Sequence, residues 1–153
     1  MSSRIAVFPG SFDPVTVGHV NIVERALPLF DQVVVAIGVN TTKKYMFPLE
    51  QRLAWLKATF AGEPKVTPIV FEGLTADLCG RLGATFVIRG LRNSTDHGSE
   101  RSIALMNMAI GGVDTLFLPS RPEHAHISST IVRELIANKA DVSAFVPQAV
   151  HIP

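Results

Sequence analysis

Ile5-Ala6-Val7-Phe8-Pro9-Gly10-Ser11-Phe12-Asp13-Pro14-Val15-Thr16-Val17-Gly18-His19 says more about the fold than any other stretch of this chain. It opens on an unbroken apolar run, which suits a strand covered on both faces rather than one with a wet side. Gly10 then lets the backbone turn sharply, Ser11 puts a hydroxyl at the strand tip, and Asp13-Pro14 reads as a turn. Gly18 allows close approach at a helix entrance, and His19 falls in the first helical turn. Four further runs of the same character follow: Val33–Val39, Val66–Phe71, Thr85–Ile88 and Thr115–Leu118. The stretches between them read as helices: Gly18–Leu29, Pro48–Phe60, Thr75–Leu82, a segment ending near Ile110, and Ser128–Asn138. Pro48 suits a first helical position and Thr75 an N-cap. Strand–helix alternation predicts right-handed crossovers and an α/β fold, a single doubly wound domain on a five-stranded parallel sheet. In such sheets ligands bind beyond the carboxyl ends of the strands, so the residues just after each run are the ones to inspect.

Composition narrows the field. The chain has 153 residues, 47% of them apolar and 18% charged, enough for one domain with a substantial core and too apolar for disorder. The net charge of +1 and the lack of a basic stripe give no sign of a nucleic-acid partner. The single cysteine, Cys79, rules out an intrachain disulfide, and its place between Leu78 and Leu82 suits a buried structural thiol. Ile5–Phe8 is too short for the apolar region of a signal peptide, and no stretch reaches the ~20 apolar residues of a membrane span. The expectation is a cytoplasmic protein with no membrane partner. No internal repeat, low-complexity tract or linker interrupts the chain, and Pro147 and Pro153 predict a short irregular tail.

The strand tips concentrate groups that receive phosphate. His19 at a helix start lies near unpaired N–H groups and the positive end of the helix dipole. The loop is neither a P-loop, lacking Gly-Lys-Ser/Thr, nor a dinucleotide fingerprint, lacking G-x-G-x-x-G. After the second run stand Asn40-Thr41-Thr42-Lys43-Lys44. The fourth ends in Ile88-Arg89-Gly90-Leu91-Arg92, where two arginines flanking a glycine offer forked donors to phosphate oxygens. After the fifth comes His124-Ala125-His126-Ile127-Ser128-Ser129-Thr130-Ile131-Val132-Arg133. One of its three hydroxyls must cap the helix, and together with the free N–H groups behind them they form an anion cradle. His124 and His126 have no nearby third ligand to complete a zinc set. No tip carries a convincing nucleophile–base pair, because nothing obvious orients His19 against Ser11. Phosphate cradles without covalent machinery suggest direct phosphoryl-group transfer driven by positioning and charge stabilisation.

Taken together, Gly10-Ser11-Phe12-Asp13-Pro14 with Thr16-x-Gly18-His19, Ile88-Arg89-Gly90-Leu91-Arg92, and Ile127-Ser128-Ser129-Thr130 closely resemble the bacterial phosphopantetheine adenylyltransferase family, within the nucleotidylyltransferase superfamily. The likeness covers nearly the whole chain. Lys43-Lys44 with Met46-Phe47, and the I-R-G-L-R run, narrow it from superfamily to acceptor. It implies a Rossmann-like parallel sheet, a homohexamer of two trimers, and a reaction joining ATP to 4′-phosphopantetheine with Mg2+, giving dephospho-coenzyme A and pyrophosphate. By position, it implies that Ser11 touches both substrates and that His19 stabilises the transition state at the α-phosphorus. Lys43 and Arg89 would hold the acceptor phosphate, with Thr75 near the pantetheine arm. Phe12, Gly90, Leu91, Arg92, Glu100 and the span His124, Ala125, His126, Ile127, Ser128, Ser129, Thr130 would bind ATP. The acceptor phosphate, already ionised, would be the nucleophile; Lys43, Arg89, Arg92, His19 and magnesium would relieve its repulsion from the triphosphate.

The chain departs from the family at Asp96-His97-Gly98-Ser99-Glu100, where an aromatic-acidic run such as D-F-E-Y-E is common. Gly98 weakens a helix there by roughly 1 kcal/mol relative to Ala. A bulky aromatic is frequent near His124, where this chain has none, and the chain stops soon after Pro147. Other readings are a different acceptor, such as nicotinamide mononucleotide or a polyol phosphate, and a non-catalytic nucleotide-sensing module. Lys43 and Arg89 argue against the first and His19 against the second. A metal-dependent hydrolase fits poorly, because no carboxylate cluster sits at a strand tip.

Overall fold

The five apolar runs become the five strands of one parallel sheet, in a computed structural model that describes residues 3–153, the side chains of residues 94–96 excepted. The elements are β1 (Ile5–Gly10), α1 (Val17–Ala26), β2 (Gln32–Gly38), α2 (Leu49–Thr59), β3 (Val66–Phe71), α3 (Thr75–Leu82), β4 (Phe86–Leu91), α4 (Ser94–Gly111), β5 (Asp114–Pro119) and α5 (Ser129–Ala137). The strand order is β3-β2-β1-β4-β5, so the chain winds outward from β1 to one edge, then returns beside β1 and winds to the other.

Both faces of the sheet are covered, which explains why the strands do not alternate in polarity. Ala6, Phe8, Val33, Val35 and Ile37 pack against α1, α2 and α5 through Ile22, Val23, Trp55, Leu56 and Val132. Val7, Val34, Ala36 and Val87 face the other way, onto Leu78 and Cys79 of α3 and Val113. Cys79 is a buried free thiol, as its apolar neighbours predict. The tail is irregular but not loose: Val142, Val146 and Val150 are buried in the first cluster, and the Phe145 carbonyl accepts the Val17 N–H at 3.0 Å.

The strand pairing opens at the place where a site is needed. β1 pairs with β2 over its whole length, from Ile5↔Gln32 to Gly10↔Ile37. It pairs with β4 only at Ala6↔Phe86 and Val7↔Val87. Beyond those residues β1 and β4 separate, leaving a crevice at the carboxyl ends where the strand order reverses.

Several local expectations are revised. β4 continues to Leu91, so Arg89 and Gly90 lie within a strand, registered opposite Phe117 and Leu118 of β5, instead of beyond its tip. The N-cap of α3 is Leu74 and Thr75 is its first residue; Pro48 caps α2 instead of opening it. α1 begins a residue earlier than Gly18, capped by Thr16. α4 runs through Gly98 without interruption, and nothing lies within 4 Å of a Cβ placed there, so this glycine serves no close approach. Gly111 does serve one: a Cβ would come to 2.8 Å from that of Ala76, where α4 crosses α3. Within the departing segment, the Asp96 side chain lies outside the described residues. No helix among those residues is long and apolar enough to cross a membrane.

Candidate active site

Two cavities open at the carboxyl end of the sheet and meet at the crevice between β1 and β4. The larger, about 700 Å3, is lined by Asn40 and Tyr45 after β2, Glu72 and Thr75 after β3, and Ala104 and Asn107 of α4. The smaller, about 300 Å3, is lined by Phe12, Gly18 and His19 after β1, Gly90 and Arg92 of the β4 end, and His124 with Ile127–Thr130. Pro9, Gly10, Ser11, Lys43, Arg89 and Glu100 line both and form the partition. Of the residues assigned to the acceptor, Thr75 lines the larger cavity alone and Ser11, Lys43 and Arg89 stand on the partition; most of those assigned to ATP line the smaller cavity. Leu91, Ala125 and His126 line neither; the His126 ring instead meets that of Phe145, with centroids 6.3 Å apart. Lys44 lines neither cavity, in contrast to Lys43.

His19 is held by the helix that carries it. At the third position of α1 its Nδ1 accepts the backbone N–H of Thr16 at 2.9 Å, and its own N–H donates to Thr16 Oγ1 at 3.3 Å, closing a capping box. Because Nδ1 is an acceptor, the proton of the neutral ring sits on Nε2. Burial, then Arg89, then Arg92 push the His19 pKa down to about 4. The unliganded ring is thus a neutral Nε2–H donor, so it can relieve charge through that hydrogen bond and not through a positive charge of its own. Of the first N–H groups of α1, those of Val17 and His19 are already engaged, which leaves Gly18's open among the described residues.

Phe12 keeps the ring in place. Its own ring lies edge-on to His19 with centroids 4.9 Å apart and to Phe8 at 5.5 Å. To reach that position Phe12 adopts φ 48°, uncommon for a bulky residue and costing of order 1–3 kcal/mol. It also needs Gly10: a Cβ there would stand 3.1 Å from the Phe12 ring. Gly18 is under no such pressure, since a Cβ would approach nothing closer than 3.4 Å, so its openness is toward the cavity it lines.

Arg89 is shared more heavily than a phosphate-binding role alone requires. Nε and Nη2 donate to the two carboxylate oxygens of Glu100 at 2.8 and 2.7 Å, and Nη1 donates to the Pro9 carbonyl at 2.7 Å. Five N–H donors minus these contacts leaves two for a ligand. Glu100, placed on ATP by resemblance, directs both oxygens at Arg89, so its immediate structural work is to aim that guanidinium. Lys43 Nζ donates to Ser11 Oγ at 3.4 Å, bringing the loop after β2 against the tip of β1.

At the start of α5 the three hydroxyls divide their tasks. Ser128 caps the helix, accepting the Ile131 N–H at 3.2 Å; Ser129 donates to the Pro14 carbonyl at 2.8 Å; Thr130 accepts from Arg133 at 3.2 Å. Arg133, which also donates to the Asp13 carbonyl at 2.8 Å, lines the smaller cavity and escaped the sequence reading as a site residue. Its spacing was the available signal, since i, i+3 and i, i+4 place it over Thr130 and Ser129 on one helix face. Asn107 was missed in the same way: it lies one and two turns on from Ala104 and Glu100, buried against the larger cavity. His124 Nδ1 is buried with no hydrogen-bond partner, so a polar ligand group in the smaller cavity would satisfy it.

No group of three or more His, Cys, Asp or Glu among the described residues could hold a metal. Among the described residues the one carboxylate lining the smaller cavity, Glu100, is committed to Arg89. The described residues do not form a magnesium cage of their own.

Known proteins share this architecture and, more closely, this sequence. Residues 7–135 match the family described as Cytidylyltransferase-like. A Flavobacterium psychrophilum protein named phosphopantetheine adenylyltransferase is 51% identical over 97% of this chain and 99% of its own. Proteins of the same name from Christiangramia forsetii (50% identical, covering 95% of this chain and 97% of the relative) and Porphyromonas gingivalis (44%, covering 97% of each) are also similar. Among solved structures, a Vibrio parahaemolyticus protein assigned as a nicotinate-nucleotide adenylyltransferase superposes with TM-score 0.69 over 95% of this chain and 88% of its own, at 17% identity. That likeness bears on the fold alone. On the strength of the full-length relatives, this chain belongs to the phosphopantetheine adenylyltransferase family.

Proposed function

We propose that this enzyme transfers the adenylyl group of ATP to 4′-phosphopantetheine, yielding dephospho-coenzyme A and pyrophosphate. The observation that carries the reading is the pair of cavities joined across Ser11, Lys43, Arg89 and Glu100. Two substrates bound on either side of that partition bring an acceptor phosphate against the α-phosphate of ATP, and alignment itself supplies much of the acceleration. A phosphate-monoester oxygen attacks the α-phosphorus in line; a new P–O bond forms, the bond from the α-phosphorus to the bridging oxygen breaks, and pyrophosphate leaves with that electron pair. The acceptor is mostly dianionic at pH 7, with a second pKa of about 6, so no general base is required.

What the protein must supply is charge relief and placement. Lys43 and the two remaining N–H groups of Arg89 would receive the acceptor phosphate. Arg92, Arg133 and the N–H groups at the start of α5 would receive the triphosphate. His19 Nε2–H would donate to the crowded α-phosphate as its equatorial oxygens gain charge. Ser11 would touch both ligands. Thr75 and Asn107 would border the pantetheine arm, and His124 the nucleoside. Mg2+, arriving with ATP, supplies further charge neutralisation.

The assembly we infer is a homohexamer. Ile103, Leu105, Met106, Met108 and Ile110 of α4 are all exposed, Ile103, Met106 and Ile110 on one side of the helix and Leu105 and Met108 on the other, apolar surface of the kind that marks a protein–protein contact. A cytoplasmic setting follows from ATP as substrate, and the buried free Cys79 needs no oxidising compartment.

The deciding experiment mixes the protein with MgATP and each candidate acceptor and follows pyrophosphate. Release is expected with 4′-phosphopantetheine. Faster release with nicotinamide mononucleotide would reduce the reading to adenylyl transfer with another acceptor.

A further inference from the structure

Asp13 and Arg52 are the two buried charged side chains among the described residues, 2% and 4% exposed, and neither lines a cavity. Arg52, on α2, has no ion-pair partner there. Its Nε donates to the Phe47 carbonyl at 3.0 Å, its Nη1 to the Ser11 carbonyl at 2.9 Å, and its guanidinium lies 4.0 Å from the centre of the Tyr45 ring. A buried cation held only by carbonyls and an aromatic face is costly, and an apolar residue of similar size would often be as stable. What its fork does is join two separate segments, the turn after β1 at Ser11 and the loop after β2 at Tyr45 and Phe47.

Asp13 grips the same loop by its donors. Its Oδ2 accepts the Met46 N–H at 2.9 Å and its Oδ1 the Phe47 N–H at 3.0 Å. Phe47 is thus fastened at its N–H to one buried charge and at its carbonyl to the other. Lys43 stands two residues before Tyr45 on this loop, and is exposed, long and flexible. Its Nζ comes within 3.4 Å of Ser11 Oγ only while the loop and the turn keep their spacing.

We propose that Arg52 is a positioning residue for the acceptor phosphate. Its fork sets the distance between Ser11 and Lys43. The inference rests on reading the cavity lined by Lys43 as the acceptor's. Lysine in its place would keep the charge but lose the rigid planar fork and its stacking on Tyr45, so it would not fix the spacing of the two carbonyls.

The test uses Arg52→Lys and Arg52→Met in the full chain. KM for 4′-phosphopantetheine and for ATP, titrations of 4′-phosphopantetheine and of unphosphorylated pantetheine, and melting temperatures are measured. Arg52→Lys should melt within a few degrees of wild type and keep KM for ATP within about threefold, while KM for 4′-phosphopantetheine rises ~10-fold or more, the effect of misplacing a charged hydrogen bond. Arg52→Met should do the same more severely. Pantetheine, which lacks the phosphate, should bind Arg52→Lys as it binds wild type. The proposal is overturned if Arg52→Lys keeps the acceptor KM within twofold of wild type, if pantetheine weakens as much as 4′-phosphopantetheine, or if both KM values rise together with a large fall in melting temperature. Should Arg52→Met fail to fold, Arg52→Lys alone decides. Wild type that releases no pyrophosphate with 4′-phosphopantetheine would instead overturn the functional assignment.

Discussion

Replacing His19 by Gln separates its two jobs. Gln is the residue type that completes a capping box at this helical position, so it can accept the Thr16 N–H as Nδ1 does at 2.9 Å. Its amide does not reach where Nε2–H stands, so the donor proposed for the α-phosphate is lost or misplaced. A donor that matters mainly in the transition state is worth about 2.7–4 kcal/mol, or ~10²–10³ in kcat. His19→Gln should therefore lower kcat by at least ~10²-fold, leave ATP affinity nearly unchanged, and melt close to wild type. His19→Ala should lose as much activity and also about 1 kcal/mol of stability, because the Thr16 N–H loses its acceptor and the Phe12 ring a neighbour. Steady-state kinetics, ATP titration and thermal melts make the comparison. Near-normal kcat with a raised KM for ATP would show that His19 only binds, and would refute the argument.

The same ring makes a claim about pH. Its pKa is about 4 when folded, against 6.5 ordinarily, so between those values the unfolded chain binds more protons than the folded one. The contribution of neutral His19 to stability is complete above pH 6.5 and is lost as pH falls through 4, on the order of 3 kcal/mol in all. NMR titration of the unliganded ring should show it neutral at pH 6, and His19→Gln should blunt the acid sensitivity. A ring titrating near 6.5 would show that burial and the arginines do not act on it as described.

Glu100→Gln should raise KM for 4′-phosphopantetheine by ~10-fold while ATP binding holds, because the aim of Arg89 is what the carboxylate controls; an effect confined to ATP titrations would return Glu100 to the nucleotide. Lys43→Ala should weaken the acceptor by a similar factor and leave ATP unaffected, whereas Arg92→Ala should weaken ATP first; isothermal titration of each ligand distinguishes them. Met106→Glu, at an exposed apolar position on α4, should dissociate the assembly, which light scattering reads as a monomer-sized particle; a wild type already monomeric at micromolar concentration would refute the hexamer.

Much of this protein is legible without coordinates, for local reasons. Doubly covered strands need continuous apolar runs, and a helix start that takes phosphate needs small and hydroxylic residues, so Ile5–Phe8, Gly10-Ser11 and Ser128-Ser129-Thr130 announce themselves. The strand order does not, because nothing in a run states which run lies beside it. That β1 stops pairing with β4 after Val7↔Val87, and so opens the crevice, is a property of two strands distant in sequence. The same holds for electrostatics. A lone histidine at a helix start states neither its tautomer nor its charge. Only the Thr16 N–H at its Nδ1, the burial of the ring and the nearby arginines make it a neutral donor with one defined tautomer. Arg89 and Glu100 looked like separate ligands for separate substrates, and it took the turn from β4 into α4 to bring them together as one unit. Spacing along the chain reports which groups a local element can present; desolvation and hydrogen-bond pairing depend on what is packed against them, and those neighbours come from elsewhere in the chain.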